Sequence, residues 1–170
     1  MISALKFYKL FLQEINKRNR FPSWNNNEKW TKLFLKGKDC VMTKIADRLG
    51  FLYCNEYFSL DGIFYRKKLA YRNLGYAQNI EVIIEHENDI GTIETEIYKL
   101  FPLFLAPLKV IITYVDSDKG KDVRKIKKIK DIIKERIKND DIFSLHKNKI
   151  ETLLIAGFKK GNKICWQGFF

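Results

Sequence analysis

The chain has 170 residues, with 32 Lys and Arg against 20 Asp and Glu, for a formal net charge of +12. A hydrophobic content of 46% and an aromatic content of 14% exclude a disordered chain and suit one domain with a sizeable core. The positive excess points to an anionic partner: nucleic acid, an acidic protein or an anionic membrane surface.

Residues 2–18 place Leu5, Tyr8, Leu12 and Ile15 at helical spacing, without the basic-then-apolar layout of a signal peptide. Residues 21–27 read as a loop whose Ser and Asn residues suit a helix entry, and Trp24 and Trp30 read as packing residues rather than stacking platforms. A helical pattern runs from 28 to 48, with a break expected at Gly37. Cys40, Cys54 and Cys165 are scattered and form no CxxC pair, which argues against a zinc site or disulfide frame and for a reducing, cytoplasmic setting.

Residues 51–54, 57–66 and 79–86 are rich in aromatic and β-branched side chains and read as three strands, with 67–78 a polar connection. Thr92 can cap a helix that turns Ile93, Ile97, Leu100 and Phe104 inward. The longest apolar stretch, 101–115, is broken by Pro102, Pro107 and Lys109 and is too short to span a bilayer, so no membrane is expected as a partner. Within it, 108–115 reads as a strand buried on both faces. A lysine-rich helix follows to about residue 139, with Val123, Ile126, Ile129, Ile133 and Ile137 as its buried stripe. Strands at 152–159 and 163–169 close the chain around the turn Lys160-Gly161-Asn162. The order αα-βββαβ-αββ predicts an α/β fold, a central mixed β-sheet flanked by helices with a right-handed crossover. It divides the single domain 1–170 into a helical part (1–49), a core (50–115) and a basic helix with closing strands (116–170).

Two of these strands hold carboxylates where neutral side chains would cost less. In a strand over Glu81–Glu87, alternation sets Glu81, Ile83, Glu85 and Glu87 on one face. Glu85 and Glu87 are then close neighbours of like charge, a costly arrangement unless a cation sits between them, and Asp61 is placed to be a third ligand. Ile83 on the same face implies partial burial, which raises the cost of unneutralised carboxylates. A plainer account is an acidic face that keeps an edge strand from aggregating.

These residues resemble the PD-(D/E)XK nuclease superfamily, which includes restriction endonucleases and DNA-repair nucleases. Its signature is an acid on one core strand and (D/E)-X-K on the next, followed by a helix and a strand. Asp61 matches the first acid, preceded by Leu60 rather than proline; Glu85 matches the second; and Glu87 stands where lysine is usual. The resemblance covers roughly 50–115 and implies a restriction-endonuclease-like core and a metal-dependent endonuclease. Asp61, Glu85 and Glu87 are then its catalytic residues, with Asp61, Glu85, the His86 carbonyl and Glu56 as metal ligands. Glu14 is a further upstream acid and Lys99 a displaced lysine, each also explained as an ordinary surface residue. Oxygen ligands imply Mg²⁺, with Mn²⁺ as a substitute. The His86 ring is expected on the opposite, buried face.

DNA is the expected substrate, with RNA as the lesser alternative; cutting both strands of a duplex calls for a symmetric homodimer, whereas a monomer would nick one strand. Lys67, Lys68, Lys121, Arg124, Lys125 and Lys128 are the expected phosphate contacts, with Arg18 and Arg20 adding to the same surface. The alternative from another class is an inactive protein of nuclease fold that binds nucleic acid or regulates a partner, which the absent lysine favours.

Overall fold

A computed structural model of the chain describes residues 2–18, 20–23, 25–66, 79–88, 92–103, 106–116, 120–139, 150–161 and 163–170. Three helices come first: α1 (Ala4–Asn16), α2 (Asn27–Phe34) and α3 (Val41–Leu49). Each is closed at its start by the preceding side chain, which accepts a backbone N–H: Ser3 from Lys6, Asn26 from Lys29 and Cys40 from Thr43. The expected break stands at Gly37, whose φ of 100° is one that a glycine adopts without a steric penalty.

Three strands follow, β1 (Leu52–Tyr57), β2 (Leu60–Tyr65) and β3 (Ile80–Glu87), then α4 (Ile93–Leu103), β4 (Leu108–Asp116), α5 (Gly120–Asn139) and the hairpin β5 (Glu151–Lys160) and β6 (Lys163–Phe169). They form one six-stranded mixed sheet in the order β1-β2-β3-β4-β5-β6. β3, β4 and β5 run parallel through α4 and α5; the remaining neighbours pair antiparallel. The sheet is thus a central mixed sheet flanked by helices, as the pattern of elements predicts.

Both faces are covered. Phe64, Val82, Ile84, Val110, Ile112 and Ile155 pack against α1, α2 and α3. Ile63, Ile83, Ile111, Val115 and Leu154 pack against α4 and α5. Every residue from Leu108 to Val115 is buried, as a strand between two helical layers must be. On the α1–α3 side Phe11, Trp30, Phe34 and Trp166 form one aromatic cluster, with Phe11 and Trp166 ring centroids 5.2 Å apart and Trp30 and Phe34 5.8 Å apart. Trp30 is fully buried there, a core residue as expected, whereas Trp24 lies outside the described residues. Each such side chain stabilises the fold by roughly 1.5–3 kcal/mol. Among the described residues no helix is long and apolar enough to cross a membrane.

Candidate active site at the end of the β2–β3 pair

The sequence reading runs 57–66 as one strand, but the chain reverses at Phe58 and Ser59. The partners Asn55–Gly62 and Tyr57–Leu60 bracket Glu56 and Asp61, so these two residues hold opposite positions on β1 and β2. Glu56 and Phe58 both hold left-handed backbone, at φ 56° and 53°. Neither residue type announces that conformation, so the turn is invisible in the sequence; each such position costs about 1–3 kcal/mol.

The β2–β3 ladder ends at the pair Gly62–Ile84. One residue further, the Asp61 carboxylate accepts the backbone N–H of His86 at 2.8 Å. A side chain thereby takes the amide that a continued ladder would have given to a backbone carbonyl. Continuing the register sets Asp61 opposite Glu85.

Alternation along β3 behaves as expected. Val82, Ile84 and His86 face α1–α3, while Ile83 and Glu85 face α4 and α5. Glu85 is 1% exposed, a carboxylate taken almost wholly out of water, and Glu87 is half-buried at the strand end. The His86 ring lies 4.8 Å from Phe34 and 5.8 Å from Tyr114, and neither of its nitrogens has a hydrogen-bond partner among the described residues. Burial pushes its pKa down to about 3, so it is a neutral core imidazole. Burial also pushes the Tyr114 phenol up, with the charge of Glu87 adding to it.

The acids do not gather into one cage. Among the described residues no three His, Cys, Asp or Glu side chains are grouped to hold a metal ion. Glu56 is exposed and held by the Lys36 ammonium at 2.5 Å. That contact, with Asp61 adding to it, raises the Lys36 pKa. Glu14 is buried on α1, bound to Lys17 at 2.7 Å and to Arg48 of α3 at 3.0 Å, so it joins two helices instead of completing the site. The acids left as candidates are Asp61 and Glu85, at neighbouring positions of adjacent strands; Mg²⁺ is commonly bound by one or two carboxylates, its other positions filled by water and phosphate.

Two residues go unread in the sequence. Tyr53 stacks over Gly62, where an added Cβ would lie 2.9 Å from its ring, and donates its hydroxyl to the Leu35 carbonyl at 2.9 Å. Burial pushes this phenol well above its ordinary value, and Cys40, Asp61 and Glu56 add to that. Lys109, read as one residue of an apolar strand, is fully buried beside Ile83 and donates to the Leu100 carbonyl near the end of α4. A cation is favoured at a helix C-terminus, which gives it a reason to be buried there. Lys99 lies on α4, its side chain outside the described residues.

The expected phosphate contacts divide. Lys67 and Lys68 fall outside the described residues, as do the side chains of Lys121 and Lys125 on α5. Arg124 is exposed, and Lys128 is bound to Glu94 of α4 at 2.6 Å. Arg18 follows α1, on the opposite layer of the sheet from α5, so Arg18 and Arg20 do not extend the α5 surface. Comparisons with protein-family models, with curated proteins and with solved structures found no match.

Proposed function

We propose that the chain is a metal-dependent endonuclease that hydrolyses DNA phosphodiester bonds at the open end of the β2–β3 pair. The observation that carries this reading is the Asp61–Glu85 pair: two carboxylates at facing positions of adjacent strands, one of them 1% exposed. The edge-strand account of these acids has no footing, because β2 and β3 are interior strands and the edges are β1 and β6. The restriction-endonuclease-like expectation is further supported by the order α-β-β-β-α-β, with β3 and β4 parallel across α4.

In this reading Asp61 and Glu85 hold the ion, and Mg²⁺ supplies charge neutralisation at the phosphate and a bound water of lowered pKa. The His86 amide fixes the Asp61 carboxylate. Glu87, half-buried at the strand end, is within the reach of solvent needed to orient a water. The hydrophobic layers on both faces keep β2 and β3 rigid, so the two carboxylates are positioned before substrate arrives. The test is cleavage of plasmid DNA with Mg²⁺, Mn²⁺ or chelator: Asp61→Asn and Glu85→Gln must lose cutting while they still bind DNA. RNA as a second substrate belongs to the same chemistry and is assayed in parallel.

A second reading, a nucleic-acid-binding protein of this fold without chemistry, is favoured by the glutamate at position 87 and by the lack of a three-ligand group among the described residues. It predicts no change in melting temperature with millimolar Mg²⁺, whereas an ion bound only by the native state raises it.

A further inference from the structure

We propose that the cleft between the end of α1 and the α2–α3 connection is the groove that receives the polynucleotide backbone, in place of the lysine-rich helix α5. The choice of a polynucleotide among polyanions and the argument from continuity rest on the endonuclease reading; the concentration of charge in the cleft does not.

The cleft has a volume of about 690 Å³ and is lined by Arg18, Arg20, Lys29, Lys32, Lys36 and Lys38, with Asp39 the one carboxylate among its described lining residues. Asp39 pairs with Lys44 at 2.9 Å and also lies in the field of Arg18 and Lys38, one negative charge against six positive ones in the lining. Arg18 is fixed by donating to the Asp39 carbonyl, and its buried Nε has no partner among the described residues. Lys32 pairs with Glu28 at 2.6 Å on the surface. Arg20, Lys29 and Lys38 have no carboxylate within ion-pair distance among the described residues. A concave surface lined by one sign of charge focuses its potential and attracts a polyanion.

Three of the described α5 cations have partners of their own. Lys128 is bound to Glu94, Lys130 lies 4.3 Å over the Phe169 ring and Arg136 lies 4.1 Å over the Tyr98 ring. Exposed Asp131 and Glu135 dilute what remains. Continuity with the active site also favours the cleft: Lys36 lines it and at the same time holds Glu56, whose position is opposite Asp61 in the β1–β2 hairpin. Lys36 thus joins the charged cleft to the β1–β2 hairpin that carries Asp61.

The test is fluorescence anisotropy of the full chain with labelled duplex DNA, single-stranded DNA and RNA, in chelator so that no cleavage intervenes. Arg20→Glu/Lys29→Glu/Lys38→Glu is compared with Arg124→Glu/Lys127→Glu/Lys138→Glu, which alters net charge equally. The cleft variant is expected to bind at least ~30-fold more weakly and to lower the slope of log affinity against log salt by about 2 to 3, while the α5 variant changes by no more than about threefold. Unchanged melting temperatures in both ensure that the loss is one of contacts. Equal losses in the two variants, an unaffected cleft variant, or no binding of any polynucleotide by the wild type would each overturn the proposal. Wild-type binding that depends on the cleft, with no cleavage when metal is restored, would leave the groove standing and remove the endonuclease reading instead.

Discussion

The Asp61 carboxylate accepts the His86 amide at 2.8 Å, a side-chain bond where the strand pairing of β2 and β3 stops. It gives Asp61 a structural role, holding the strand ends in register, beside the ion-binding role proposed for it. Asp61→Asn keeps the shape but can offer the amide only one carbonyl oxygen and no charge. We expect a melting temperature within a few degrees of wild type and cleavage reduced by about 10²–10³-fold, the usual effect of removing one preorganised electrostatic group. A variant that melts normally and cuts normally would detach Asp61 from the chemistry.

Gly62 is the neighbour that lets Tyr53 lie flat over β2. A methyl group at this position would meet the ring at 2.9 Å, and Tyr53 cannot retreat freely because its hydroxyl is bonded to the Leu35 carbonyl. Gly62→Ala should therefore cost about 1–3 kcal/mol, the range for overpacking a filled site. Gly62→Ala/Tyr53→Phe, which releases that bond, should recover part of the loss in urea denaturation.

Most of the architecture is legible in the sequence because its signals are local. The isoleucine periodicity of α5, the continuous apolar run of β4 and the turn signal at Gly161 each specify their element without reference to the rest of the chain. The failures are long-range or conformational. The reversal at Phe58 rests on left-handed backbone at two non-glycine residues, so an aromatic-rich run reads as one strand from 57 and the first strand, which reaches Tyr57 and includes Glu56, reads as ending at 54. Lys109 reads as an interruption of an apolar segment, since the α4 carbonyl that it reaches is supplied by a neighbouring element. Glu14 resembles a surface acid until α3 brings Arg48 against it. The spacing of Asp61, Glu85 and Glu87 does identify two neighbouring strands, but it cannot reveal that the Asp61 carboxylate is tied to an amide and that Glu56 is drawn to Lys36.

Glu14 provides a pH-dependent prediction. Burial pushes its carboxyl up, but the hydrogen bonds and charges of Lys17 and Arg48 outweigh this and hold it below its ordinary value. A carboxyl depressed in the folded state contributes stability that is present above its unfolded pKa, about 4.3, and is lost as pH falls through the folded value. Glu14→Gln should accordingly be less stable than wild type by about 1–2 kcal/mol near pH 7, a figure kept modest because both cations are partly exposed. The gap should narrow below about pH 4. Denaturant melts of the two proteins at pH 7 and pH 3.5 test it; a constant gap would mean that the carboxylate's charge contributes nothing.

Lys109 is expected to be structural. Lys109→Met keeps the length of the side chain and removes the hydrogen bond to the α4 carbonyl, so it should lower stability by about 1–2 kcal/mol. DNA cleavage per folded molecule should stay within about twofold of wild type. A variant that melts like wild type but no longer cuts would instead make Lys109 part of the active site.

The most direct test of the central claim uses supercoiled plasmid with Mg²⁺, Mn²⁺ or chelator, wild type beside Glu85→Gln. The account predicts nicked or linear product from the wild type with metal, none in chelator, and none from Glu85→Gln at equal DNA binding. Metal-dependent cleavage that persists undiminished in Glu85→Gln would contradict it.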